Sequence, residues 1–416
     1  MDQRKFVFFS AITGNILEYY DFTVYVIFTN IIAQTFFPAA SEYAQVLMSL
    51  SVFASGFITR PIGGIFFGYI GDRYGRRIAL ICSMVGMTIP TFAMGLIPNY
   101  SEIGIYAPIF LVIFRLMQGL CISGEGAGAA IFVLEHQNSV GPGFITGLVH
   151  GSNIVGSLIA GFIGIAISKF FPGVEYAWRF AFILGGFMGI IGFYLRLRVS
   201  ETPIFMELSE KRGTFKMPFF HVIRHAFPSI VLTFCVAAVT SSIVYMVKTY
   251  VLVLYSNIMH YEESEALWYL SYANIVMMIT MPLSGMLVDR IGKVTVMRGA
   301  VISVIIFAIP VLVFMSSVET YKQLISLTIL AVMAGAMSGS AYLFVISLFK
   351  PEERFTGVAF SYNLGIAIFG GPSAIISRWL IESTHILYSP AFYIMTTSVF
   401  FLFIMFLMRR LIRTIA

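Results

Sequence analysis

The sequence predicts an all-α membrane protein of twelve transmembrane helices arranged as two pseudo-symmetric six-helix halves. Three observations predict it. The 416 residues are 58% hydrophobic and only 11% charged, with a mean hydropathy of +0.89. A soluble domain carries about a quarter charged residues, so this much apolar surface cannot be hidden in one aqueous core. Many apolar runs reach the roughly 20 residues that cross the hydrocarbon as a helix, which satisfies its own backbone hydrogen bonds. The short alternating segments of a transmembrane barrel are absent. Finally, the turn Gly68-x-x-x-Asp72-Arg73-x-Gly75-Arg76-Arg77 returns as Gly285-x-x-x-Asp289-Arg290-x-Gly292-Lys293, each time between membrane-length runs. A half-protein used twice explains that recurrence.

The elements follow in order. Span 1 (6–36) comes after the cations Arg4 and Lys5. It is too long for the apolar core of a signal peptide, and it holds Glu18 and Asp21. Spans 2 (43–69) and 3 (78–98) flank the first copy of the turn. Span 4 (105–134) carries Arg115 and Glu125. Span 5 (142–169) carries Gly147, Gly151, Gly156 and Gly161, spaced so that a neighbouring helix can approach closely. Span 6 covers 177–198. The linker 199–223 holds Glu201-Thr202-Pro203, Glu207, Glu210, Lys211, Arg212 and Lys216, and it separates an N-terminal bundle (1–198) from a C-terminal bundle (224–416). Spans 7 (224–256) and 8 (265–287) precede the second copy of the turn. Spans 9 (295–315) and 10 (323–349) lead to span 11 (355–381), where Phe369-Gly370-Gly371-Pro372 invites a bend. Span 12 covers 386–410.

Nineteen Lys and Arg residues, Arg196 among them, fall on the side that holds both termini. Two (Lys169, Lys322) fall on the other, and five (Arg60, Arg115, Arg179, Lys248, Arg378) fall inside spans, accounting for all 26. By the positive-inside bias, both termini and the linker are cytoplasmic. The net charge of +6 is then a topology signal, not a nucleic-acid footprint. The three cysteines lie in apolar runs without metal-ligand or disulfide spacing. There is no Ser/His/Asp arrangement and no phosphate-cradling loop. The expectation is a non-enzyme without metal or cofactor, monomeric in the bilayer, whose partners are protons and a small solute. Repeated halves with a midplane site suit a transporter better than a channel or receptor.

The repeated turn resembles the signature loop of the major facilitator superfamily, and Arg115-Leu116-Met117-Gln118-Gly119 resembles its Arg-x-x-Gln-Gly motif in the fourth helix. Other stretches resemble the metabolite:proton symporter branch: Gly14-Asn15-x-x-Glu18-Tyr19-Tyr20-Asp21-Phe22, Arg60-Pro61-Ile62-Gly63-Gly64, Gly124-Glu125, Trp178-Arg179 and Glu201-Thr202-Pro203-x-Phe205. The run from Gly95 to Pro108 is similar to the proline/glycine-betaine transporters of that branch. The chain departs from the branch at Tyr19, where Trp is usual, and at Gly126, where a bulky aromatic is common. It ends at Ala416 without the coiled coil of the osmosensing members, which argues against that kind of osmosensor. The resemblance implies a twelve-helix fold in a bacterial-type inner membrane. It implies import of a zwitterionic or anionic metabolite, proline or betaine first, by proton symport through alternating access. Mono-, di- or tricarboxylates, including a carboxylate siderophore, are the second substrate class. A multidrug exporter is a third reading, disfavoured by the buried cations.

Ionisable groups inside a membrane are costly and mark function. Glu18 and Asp21, three apart, share a helix face, and Asp21 and Arg115 fall at similar depth. Apolar surroundings favour the neutral form of a carboxylate and a guanidinium favours the charged form, so a carboxylate between them suits proton exchange. Asp21, Glu18 and Glu125 are the proton-coupling candidates, with Arg115 tuning them. Static ion pairs between helices are the competing reading. Arg60 and Lys248, and Arg179 less so, are candidates for a substrate carboxylate, and the resemblance places Arg60 and Arg179 among arginines that carboxylate carriers keep near substrate. Tyr19, Tyr20 and Tyr245 could wall a quaternary ammonium; Tyr250 and Tyr342 share that possibility. Asn15, His150 and Asn153 suit hydrogen bonds between helices. Asp72, Arg73, Arg76 and Arg77, with Glu135, and Asp289 with Arg290, are candidates for a cytoplasmic gate, expected to be stronger in the first half.

Overall fold

A computed structural model describes residues 3–38, 41–136, 141–171, 173–211 and 218–415, and all their regular structure is helical. In order the helices are α1 (Gln3–Ile27), α2 (Thr29–Phe36), α3 (Glu42–Arg73), α4 (Arg76–Met94), α5 (Tyr100–Ile103), α6 (Tyr106–His136), α7 (Pro142–Phe170), α8 (Ala177–Leu197), α9 (Pro203–Lys211) and α10 (Pro218–His225). They continue with α11 (Phe227–Tyr245), α12 (Glu263–Ile291), α13 (Lys293–Met315), α14 (Thr320–Ile346), α15 (Arg354–Gly365), α16 (Ser373–Thr384), α17 (Pro390–Leu407) and α18 (Arg409–Ile415). Among the described residues eleven stretches are long and apolar enough to cross a membrane, and the pair α1–α2 makes twelve if it is one span. The middle of the linker, 212–217 with Arg212 and Lys216, lies outside the described residues, as does the side chain of Lys211.

Three spans are less regular than the apolar pattern suggests. Span 1 bends by 63° between α1 and α2. The hinge is Phe28, at φ −96° and ψ 15°. Beside it the Thr29 hydroxyl donates to the Tyr25 carbonyl at 3.1 Å. Span 7 continues from α11 through two widened π-turns, Met246–Tyr250 and Val253–Ile258. Span 11 breaks where the sequence invited a bend: α15 ends at Gly365, a π-turn covers Ile366–Gly370, and Pro372 starts α16.

The chain divides into two compact units, residues 1–136 with 152–219 and residues 137–151 with 220–416. Helix α7 therefore contributes its first turns to the second unit and the rest to the first. Between helices in lipid the hydrophobic effect gives little, and close van der Waals packing holds them together. In the first unit α3 meets α6 backbone to backbone: a Cβ on Gly119 would overlap Gly56 and Thr59, and one on Gly63 would overlap Leu120 and Ser123. The glycines of α7 serve both units, Gly147 lying against Met281 and Pro282 of α12 and Gly156 against Ile16 of α1. An aromatic core of Tyr20, Tyr25, Phe28, Phe36, Trp178 and Phe182 fills the far end of the first unit. The two copies of the repeated turn share one backbone device, a positive φ at Gly75 (118°) and Gly292 (89°), which a side chain would strain.

Candidate functional site

In the first unit Arg115 of α6 and Asp21 of α1 stand at the ends of a hydrogen-bond chain. Arg115 Nη1 donates to Gln118 Oε1, Gln118 Nε2 donates to Thr91 Oγ1, and Thr91 Oγ1 donates to Asp21 Oδ2, each at 2.7 Å. A guanidinium can only donate, so the Gln118 oxygen must face it and the amide nitrogen must face Thr91. The single Thr91 proton is shared between Asp21 and the Met87 carbonyl, 2.9 Å away. Gln118 and Arg115 face together because they are three apart on one helix. All four residues are at most 5% exposed. Asp21 Oδ1 and Arg115 Nε and Nη2 have no hydrogen-bond partner among the described residues. Asp21 and Arg115 thus attract each other through an intervening amide and hydroxyl, not by a direct ion pair.

Arg60 joins this group. Its guanidinium lies 4.6 Å from the Phe57 ring centroid and 5.4 Å from that of Phe22, while Arg115 lies 5.1 Å from Phe22, 4.4 Å from Tyr25 and 4.7 Å from Phe53. Two cations therefore flank one phenylalanine, and aromatic faces partly offset their loss of water. They lie within electrostatic reach of each other. Arg60 Nε is buried without a hydrogen-bond partner among the described residues. The crevice lined by Phe22, Gly56, Arg60, Arg115 and Gln118 is closed to a water molecule.

Glu18 and Glu125 belong to a second group, nearer the loop end of the same unit. Glu125 pairs with Arg196 of α8 and accepts from Ser83 Oγ at 3.1 Å. Arg196 also attracts Glu18. Arg196 is 3% exposed, so it is a buried ion-pair partner and not the loop cation that its place at a span end suggested. Gly14 of α1 makes room for the pair; a Cβ there would overlap Arg196 and Glu125.

Other candidates separate from these groups. Tyr20 is fully buried and donates to the Ala181 carbonyl at 2.8 Å, a packing position instead of an aromatic wall. Arg179 donates to the carbonyls of Gly95 and Ile97 and to Asn99 Oδ1, so it fastens the turn after α4. Tyr19 is half-buried on α1. Lys248 and Tyr245 lie in the second unit. There His150 stacks on Tyr342 at 4.3 Å, its Nδ1 lies 2.9 Å from the Ser338 carbonyl, and Lys248 is within electrostatic reach. A carbonyl only accepts, so that Nδ1 carries the hydrogen. Arg378 pairs with Glu382 at the surface.

The two copies of the turn are fastened differently. In the first, Arg76 is fully buried, 3.4 Å from Asp72 and 3.2 Å from Glu135. Arg77 donates its side chain to the Leu197 carbonyl at 2.6 Å, and Arg73 lies over Tyr69 and Tyr74. Glu135 also accepts from Thr202 at 2.7 Å. Glu201 accepts the backbone N–H groups of Arg76, Arg77 and Thr202 at 2.9–3.1 Å. Burial pushes the Glu201 carboxyl up, against the lowering effect of those bonds and of Arg76. In the second copy Asp289 accepts from the N–H groups of Gly143 and Phe144 at 2.7 and 2.9 Å, capping the start of α7. Arg290 is exposed.

The sequence profile of the Major Facilitator Superfamily matches residues 11–372. The chain belongs to the major facilitator superfamily. The glycine betaine/proline/ectoine/pipecolic acid transporter OusA of Dickeya dadantii (strain 3937) is 31% identical over 402 residues, covering 94% of this chain and 80% of that protein. The proline/betaine transporter of Escherichia coli (strain K12) matches to the same extent. Among solved structures, the proton:xylose symporter XylE bound to 6-bromo-6-deoxy-D-glucose has a TM-score of 0.76 at 17% identity, over 97% of this chain and 95% of that one. The human organic anion transporter MFSD10 has 0.70 at 14% identity, over 98% and 100%. These structural likenesses are of fold.

Within this major facilitator chain, Thr91, Ser83, Arg196 and Glu201 contribute to the polar groups although sequence reasoning did not single them out for them. Arg196 had a signal. It follows Gly185, Gly189 and Gly192 at spacings of four, three and four, and these glycines line the buried face of α8. Thr91 shares a buried face with Met84 and Met87 in the same way. Ser83 lies on the same face, between Leu80 and Met87, whereas Glu201 carried no comparable pattern.

Proposed function

We propose that the chain is a monomeric inner-membrane importer, both termini cytoplasmic, that carries a proline- or betaine-like zwitterion with protons by alternating access. The directional chain from Arg115 to Asp21 supports this reading most. With Asp21 ionised, every donor in the chain points toward it and answers part of the Arg115 charge. When a proton reaches Asp21, the Thr91 hydroxyl loses its charged acceptor and has the Met87 carbonyl to turn to. Arg115, beside Arg60, is then short of negative charge, and a substrate carboxylate supplies it. Proton and carboxylate therefore favour each other's binding, and the coupling works equally in both directions. The names of the relatives support proline or betaine as the carboxylate bearer.

The pairing of Arg60 with Arg115, each with unpartnered buried nitrogen, favours a second reading, a proton-coupled carrier of α-ketoglutarate, citrate or a carboxylate siderophore. Arginine binds carboxylates by two parallel bonds. Uptake of labelled proline, betaine, α-ketoglutarate and citrate into proteoliposomes, with and without an imposed pH gradient, decides between the two. Proline or betaine should enter, faster with the gradient, and Asp21→Asn should remove the gradient dependence. Uptake of the same solutes indifferent to the gradient would refute symport.

A further inference from the structure

The Glu125–Arg196 pair is the least expected ionic feature of the first unit. It is buried, it joins α6 to α8, and it lies away from the Arg60–Arg115 crevice. On α6, Glu125 follows Gln118 by seven residues, about 10 Å of helix toward the loop end. On α1, Glu18 precedes Asp21 by one turn in the same direction. The carboxylates thus descend as a ladder from Asp21 to Glu18 to Glu125. Below Arg196 is a cavity of about 10 Å³, lined by Ser10, Arg77, Leu80 and Phe132 among others, room for about one water. Arg77 belongs to the repeated turn, so the cavity sits directly beneath the surface of that end. The Nε atoms of Arg196 and Arg77 are both buried without a hydrogen-bond partner among the described residues, and both residues line the cavity.

We infer that Glu125 is a second proton station, on the loop side of Asp21, and that Arg196 is the positioning residue that drives the proton off it toward this cavity. The inference rests on the symport reading above. The proton arrives on Glu125 while the Arg196 guanidinium is drawn to Glu18. It leaves to water in the cavity, and the guanidinium closes on the ionised Glu125, the pairing present in this structure. The charged and polar groups facing Glu125 and Arg196 are Glu18 and Ser10 from α1, Ser83 and Arg77 from α4, and each other from α6 and α8. Gly14 lets the guanidinium and the Glu125 carboxylate lie directly against the α1 backbone.

The test separates net proton movement from substrate exchange, which needs no proton release. In proteoliposomes, Glu125→Gln should keep equilibrium exchange of labelled proline within about twofold of the unaltered chain and lose about tenfold or more of gradient-driven accumulation. Arg196→Gln should shift the pH dependence of accumulation upward by about one unit or more, and Arg196→Lys should restore most of it. Infrared titration of the reconstituted protein gives a readout that needs no substrate. Glu125→Gln should remove one titrating carboxylic-acid band, and Asp21→Asn should remove a different one. A structural pair would instead show exchange and accumulation falling together with thermal stability, or no change in the infrared titration, and either result overturns the proposal. If the unaltered chain exchanges proline without gradient dependence, the symport reading fails; if only Glu125→Gln behaves like the unaltered chain, this proposal fails alone.

Discussion

Thr91 makes the clearest single-residue test, because it is the narrowest point of the Arg115–Asp21 chain. Thr91→Val keeps the shape, removes the hydroxyl and leaves Gln118 Nε2 without its acceptor, at a cost of about 1–3 kcal/mol for an orphaned buried donor. The expected result is a lower unfolding temperature together with a displaced pH profile of uptake, whereas a purely structural hydroxyl would lower stability alone. Glu201 tests electrostatics at the loop end. Its carboxyl is pushed up by burial, so its ionisation is favoured less in the folded chain than in the unfolded one. By linkage its contribution is fullest at pH below the free carboxylate range and falls as pH rises through the folded value. Glu201→Gln should therefore unfold close to the unaltered chain at neutral pH, while Glu201→Ala, which strips the acceptor from three backbone N–H groups, should cost about 1–3 kcal/mol. Thermal unfolding at two pH values measures both.

At the scale of elements, the α3–α6 seam and the bend after α1 show what the sequence disclosed. Twelve apolar runs and the break at Pro372 were legible, because length and proline act locally. The bend at Phe28 was not, since neither proline nor glycine stands beside it. Asp21 and Arg115, expected at similar depth, gather with Arg60 in one unit, and Glu18 and Glu125 share a neighbourhood through Arg196; residue type and depth suggested that proximity but do not fix a role. Arg196 was hidden by its place at a span end, where a cation usually marks the boundary, and Thr91 because hydroxyls are common in membrane helices. Tyr20 and Arg179 were over-read for the opposite reason: residue type suggested a ligand, and a backbone carbonyl claimed each of them. At the seam, Gly119→Val would force side-chain atoms onto Gly56 and Thr59, and overpacking of this kind costs about 1–3 kcal/mol. A matching drop in unfolding temperature is expected, and it should exceed that of Gly161→Val, where nothing lies within reach.

For the whole molecule, the charge bias predicts orientation. In a Cys82→Ser background, since Cys82 alone of the three cysteines is exposed, a membrane-impermeant maleimide applied to intact cells should label Lys322→Cys and spare Lys350→Cys. The reverse pattern would invert the topology. The division of α7 has a further consequence, in the order in which the chain is made. Its first turns, with Gly143 and Gly147, belong with α12, and the Gly143 N–H waits for Asp289. A ribosome delivers α7 long before it delivers α12. Through that interval the start of α7 has neither its cap nor its seam, so the first six spans on their own are an unfinished object. Cut at the linker and expressed as two fragments, the N-terminal piece should be degraded when made alone and persist when its partner is synthesised beside it.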